Sequence, residues 1–104
     1  MTSLNTYTVV TRETAVYPPE QALMYLALGL CGESGEVAEK IKKQYRDGKL
    51  DVEALVKELG DVLWYWTRLC DELNIDPEAV INLNIRKLLD RKNRGVIQGS
   101  GDNR

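Results

Sequence analysis

Apolar residues recur along most of this chain at helical spacing. Taking Leu23 as origin and about 100° per residue, Leu26, Leu30, Val37 and Ile41 fall within roughly 60° of one another. Leu55, Leu59, Val62, Trp66 and Leu69 form a second stripe, and Ile81, Ile85, Leu88 and Leu89 a third. Helix punctuation lies where these stripes begin and end. Pro18 and Pro19 suit the first turn of a helix that runs from about Pro19 to Arg46 and stops at Asp47-Gly48, a left-handed terminator. Asp51 is the expected N-cap of a helix over about 52–73, and Asp76 with Pro77 opens one over 77 to about 93. Residues 1–17 form an N-terminal arm. Their Thr and Val would suit a strand, but no second strand exists to pair with it, so a short helix over roughly 5–15 is expected. Residues 95–104 read as an irregular tail. The fold class is therefore all-α, a single domain over 1–104 built as an antiparallel bundle of about four helices.

Two of these helices are more apolar than a lone protomer needs. Tyr25, Leu28 and Cys31 lie off the first stripe, and Leu63-Trp64-Tyr65-Trp66 places large groups on every face. Such helices predict a homo-oligomer, a dimer or tetramer. Gly29, Gly32 and Gly35 each weaken their helix by up to about 1 kcal/mol relative to Ala, which implies a close backbone approach or a local break there.

Composition narrows the partners. The formal net charge of −2 gives no global attraction to nucleic acid or to an anionic membrane. Cys31 and Cys70 sit in apolar helical settings and are expected as buried, reduced thiols. No signal segment is visible, and the longest apolar run, Ala22 to Cys31, is too short to cross a bilayer. A cytoplasmic protein is the expectation.

The candidate chemistry is carboxylate chemistry. Glu33 and Glu36, and again Glu58 and Asp61, are pairs spaced by three, which a helix places on one side about 4.5 Å apart along its axis. Glu33 lies about 60° and Glu36 about 120° off the middle of their stripe; Glu58 and Asp61 lie about 60° and 110° off theirs, in the same sense. Two antiparallel helices could thus gather all four acids at the edge of one core. Carboxylates so placed need compensation, and an oxygen-only ligand set favours Mg²⁺, with Mn²⁺ as the alternative. The chain has no histidine, which argues against His-based zinc or di-iron sites. The plainer reading of one Glu-x-x-Glu is a solvated flank, with Glu36 paired to Lys40; two pairs with matching offsets favour the shared site. Tyr65 follows Asp61 by one turn and can reach the same place. Asn84, Lys87, Arg91 and Arg94 recur within roughly 80° on the last helix, a polar face suited to an anion such as a polyphosphate.

These residues resemble a known signature. Glu33-x-x-Glu36, a spacer of about twenty residues, Glu58-x-x-Asp61, and then Asn84-x-x-Lys87-x-x-x-Arg91 are similar to the MazG-like, all-α nucleoside triphosphate pyrophosphohydrolases. The likeness extends over roughly residues 5–94. It implies that Glu33, Glu36, Glu58 and Asp61 coordinate Mg²⁺ as the catalytic acids, that Lys87 and Arg91 contact a triphosphate, and that protomers assemble as dimers or dimers of dimers. Many family members carry a further acid just before each pair, where this chain has Gly32 and Lys57. The implied reaction splits a (d)NTP into the monophosphate and pyrophosphate, with Tyr65, Asn84 and Arg94 joining the substrate contacts and Trp64 or Trp66 near the base. The rival expectations are phosphoribosyl-ATP or dUTP on the same scaffold, or a non-catalytic module that binds metal or nucleotide and mediates assembly.

Overall fold

The computed structural model describes residues 2–104, which form four helices and, among these residues, no strand. Helix α1 spans Leu4–Glu13. Ser3 caps it, its Oγ accepting from the Thr6 amide at 3.1 Å. The Thr-rich arm is helical because its hydroxyls find partners inside the helix. Thr8 Oγ1 donates to the Leu4 carbonyl and Thr11 Oγ1 to the Thr8 carbonyl, both at 2.7 Å, which lets both side chains be buried.

Pro19–Gln21 make one 3-10 turn before helix α2 begins at Ala22, three residues later than the expected start. Such 3-10 turns are common at helix N-termini, and this one closes through the Gln21 amide on the Pro18 carbonyl at 3.1 Å. Helix α2 runs Ala22–Asp47 and ends where Gly48 takes φ 76°, its amide donating to the Gln44 carbonyl at 2.6 Å. Asp51 caps helix α3, Val52–Glu72, by accepting from the Ala54 amide at 3.1 Å. Asp76 caps helix α4, Pro77–Arg94, through the Glu78 amide.

Helices α2 and α3 form an antiparallel hairpin with the largest interface in the molecule. Helix α1 packs on α3, and α4 meets only α1 and α3, so the four helices expected are present and the bundle is open between α4 and α2. Its radius of gyration is 16.5 Å, against about 13 Å for a compact chain of this length. The buried set is correspondingly small: Leu26, Ala22 and Cys70, with Thr8, Thr11, Thr67, Arg68 and Arg91. Leu28 stays 66% exposed, Leu59 52% and Leu83 64%. The apolar stripes thus outrun what one protomer covers.

The crossing of α1 over α3 is held largely by charge. Arg68, buried, donates to Asp71 at 2.6 Å, to Glu72 at 3.2 Å, to the Tyr17 hydroxyl at 3.2 Å and to Thr11 Oγ1 at 3.4 Å. Arg12 reaches across from α1 to grip both oxygens of Asp71 at 2.7 and 2.8 Å. The two guanidinium groups, Arg12 foremost, hold the Asp71 carboxyl down to about 2. Both cysteines are free thiols, but Cys31 is exposed; only Cys70 is buried as expected, and burial pushes its thiol up.

Candidate metal and nucleotide site

The hairpin puts Glu33 of α2 against Glu58 and Asp61 of α3, with one carboxylate oxygen from each lying within 4.8 Å of the others. Glu58 and Asp61 share a side of α3 because they are three residues apart. Glu33 faces them because Tyr25, Gly29 and Glu33, spaced by four, line one face of α2. Gly29 is the gap in that face: a Cβ there would overlap the ring of Tyr65, which fills the space. At Gly32 and Gly35 nothing lies within 4 Å of such a Cβ, so the close approach expected of all three glycines occurs only at Gly29.

In so small a space the cost of the crowded negative charge falls on Glu33. Glu33 is pushed up to about 7, first by its hydrogen bond with Glu58, then by desolvation, then by the charges of Asp61, Glu58 and Glu36. Burial, a hydrogen bond with Tyr25 and the nearby Glu33 and Asp61 raise the Tyr65 hydroxyl in turn. Glu33, Asp61, Trp64 and Tyr65 line a cleft of about 290 Å³. Trp64 packs edge-on against Tyr65 at 5.0 Å between centroids, and its indole N–H donates to Thr14 Oγ1 at 2.8 Å. Tyr25 lies tilted against Tyr65 at 6.2 Å and stacks on Tyr17 at 5.4 Å. The cleft therefore has an acidic floor and an aromatic wall.

The remaining candidates are placed differently. Glu36 is exposed and stands outside the trio, acting on it only as a further negative charge. Asn84, Lys87, Arg91 and Arg94 do not line the acidic cleft. Asn84 and Lys87 border a separate depression on α4 with Val80, Leu83 and Arg86, while Lys87 and Arg91 bond to Asp102. Helix α4 does not touch α2, so one protomer cannot bring this basic face over Glu33. Two contributors escaped the sequence reading. Tyr7 of α1 is near enough to Asp61 for that charge, after desolvation, to raise its hydroxyl. Tyr25 supports Tyr65, and the four-residue spacing from Tyr25 to Gly29 to Glu33 was its signal.

A family model of the MazG nucleotide pyrophosphohydrolase domain matches residues 21–96, which hold all three acids and the stripe of α4. The chain belongs to the MazG family. This MazG domain is also 44% identical over 109 residues to the Gene 37 protein of Mycobacterium phage L5, the alignment covering 94% of this chain and 96% of the relative. No solved structure matches it. No helix among the described residues is long and apolar enough to cross a membrane.

The donor set fits a hard divalent cation. It is all oxygen, three carboxylates converge from two rigid helices, and Glu33 carries the marks of excess negative charge.

Proposed function

We propose that this MazG domain is a pyrophosphohydrolase that cleaves a (d)NTP between the α- and β-phosphates, releasing a nucleoside monophosphate and pyrophosphate. The observation that carries this reading is the convergence of Glu33, Glu58 and Asp61 beside an aromatic wall. These three residues, with Glu36 beside them, would hold Mg²⁺ or Mn²⁺. When bound, the cation supplies charge neutralisation for the phosphates and a lowered pKa for an attacking water. Glu33 or Glu36 would serve as the general base toward that water. Tyr65 and Trp64 give the nucleoside an aromatic wall, and stacking on a ring face is tolerant of base identity.

Lys87, Arg91 and Arg94 balance charge on the departing pyrophosphate, and Asn84 orients a phosphate or sugar oxygen. For that, α4 must lie over an acidic cleft other than its own, and the exposed Leu23, Leu28, Leu59 and Leu83 supply the surface on which copies of the chain would assemble as a dimer or dimer of dimers. The decisive assay is pyrophosphate release from the eight common nucleotides, with and without Mg²⁺. Glu58→Gln, Asp61→Asn and Glu36→Gln should each abolish turnover while circular dichroism and oligomer size stay unchanged. Undiminished release by Asp61→Asn would refute the reading.

A further inference from the structure

Residues 97–104 lie beyond the part of the chain that matches the MazG domain, yet they are not a loose end. Gly95, at φ 72°, turns the chain out of α4, and Gly101, at φ 80°, turns it again. The Arg104 guanidinium then closes the loop, donating to the main-chain oxygens of Val96 at 3.0 Å, Ile97 at 3.1 Å and Gly101. The ring is tight enough that a Cβ on Gly99 would lie 2.7 Å from Arg104 Cδ.

What this loop presents to α4 is negative charge. Asp102 Oδ1 accepts from Lys87 Nζ at 3.1 Å and from Arg91 Nη2 at 3.2 Å, and the Asp102 main-chain oxygen accepts from the same Arg91 nitrogen at 3.1 Å. Arg94 donates to the main-chain oxygen of Arg104 at 2.8 Å. All three cations of the stripe are thereby engaged by oxygens of the chain itself, in the same charge-assisted manner by which they would take phosphate oxygens.

We propose that residues 96–104 are an autoinhibitory strap, with Asp102 occupying the seat of a polyphosphate on Lys87 and Arg91 until a polyphosphate displaces it. The inference rests on the reading of α4 as the phosphate-binding helix. Two properties make the strap a competitor. The Arg91 side chain is only 6% exposed with the strap in place, so Asp102 and a polyphosphate cannot sit on it together. The Asp102 side chain is 81% exposed and carries one charge, so a polyphosphate with several charges outcompetes it. Two ion pairs of exposed strength lower the apparent affinity by about two- to thirtyfold, the fraction of time the strap is closed setting the factor.

The test is calorimetric titration of inorganic pyrophosphate, without metal, into the full chain, the Asp102→Asn variant and a chain ending at Gly95. Circular dichroism confirms that each is folded, and Asp102→Asn serves if the shortened chain is not. Both variants should bind pyrophosphate about two- to thirtyfold more tightly than the full chain, and Lys87→Met added to Asp102→Asn should abolish the gain. Equal or weaker binding in the variants overturns the strap, as does failure of every chain to bind. The readout requires no turnover. Tighter binding without nucleotide hydrolysis would retain the strap and remove the hydrolase, whereas hydrolysis with unchanged pyrophosphate affinity would do the reverse.

Discussion

Kept free of divalent cations, the MazG domain should lose stability as pH rises through neutrality, the opposite of ordinary acid unfolding. Glu33 holds its proton in the folded state up to about 7, while in the unfolded chain the carboxyl returns to its ordinary value of 4.5. A raised folded value contributes stability that is fully present below about 4.5 and is lost as pH climbs through about 7. Unscreened, the difference is worth about 3 kcal/mol, but Glu33 is only partly covered, and solvent screening brings it to on the order of 1–2 kcal/mol. For a domain of this size that is a fall of roughly 5–10 °C in Tm. The chain has no histidine, and Asp71, held near 2, titrates far below this window, so the carboxyl trio dominates. Thermal melts in EDTA between pH 5 and 8 should show the fall, and millimolar Mg²⁺ should erase it at pH 8 while changing little at pH 5. Glu33→Gln should flatten the EDTA curve. An unchanged Tm from pH 5 to 8 in metal-free protein, or a fall that persists in Glu33→Gln, would refute the coupling of these carboxylates.

Three further outcomes follow. Arg68→Met should cost about 2–4 kcal/mol in urea unfolding, because it leaves Asp71, Glu72 and Tyr17 without their shared donor. Asp71, by contrast, stabilises the fold above its ordinary range and loses that contribution as pH falls toward 2, so Asp71→Asn should flatten acid unfolding between about pH 4 and 2. Gly29→Ala and Gly32→Ala should part company: the first forces the Tyr65 ring aside at a cost of about 1–3 kcal/mol, while the second, in open space, should gain up to about 1 kcal/mol of helix stability. Equal midpoints for the two alanine variants would contradict the placement of Tyr65.

What the sequence disclosed was what local chemistry determines. Asp51, Asp76, Pro77 and Gly48 mark helix ends because capping is decided within a turn, and the three-residue spacing of Glu58 and Asp61 specifies their common side. The gathering of Glu33 to that pair was also legible, since the offsets of the acids from their stripes matched. What escaped depends on contacts distant along the chain. Tyr7 comes near Asp61 through the packing of α1 on α3, where Arg12 clasps Asp71, 59 residues away. The separation of α4 from the acidic cleft follows from its packing on α1 and α3, which its own periodicity does not encode. The folded tail is invisible to periodicity, being held by one arginine and one aspartate among glycines. Glu36 shows the limit of matched offsets: it stays outside the trio although Asp61, at nearly the same offset, joins it.

The clasp between Arg12 and Asp71 gives the N-terminal helix an unusual sensitivity. Because ions, more than greasy side chains, fasten it, raised ionic strength should loosen its grip well before the α2–α3 hairpin melts. Tyr7 would then swing away from Asp61 while the acid trio stays assembled, so concentrated salt would remove a neighbour of the site without dismantling its floor.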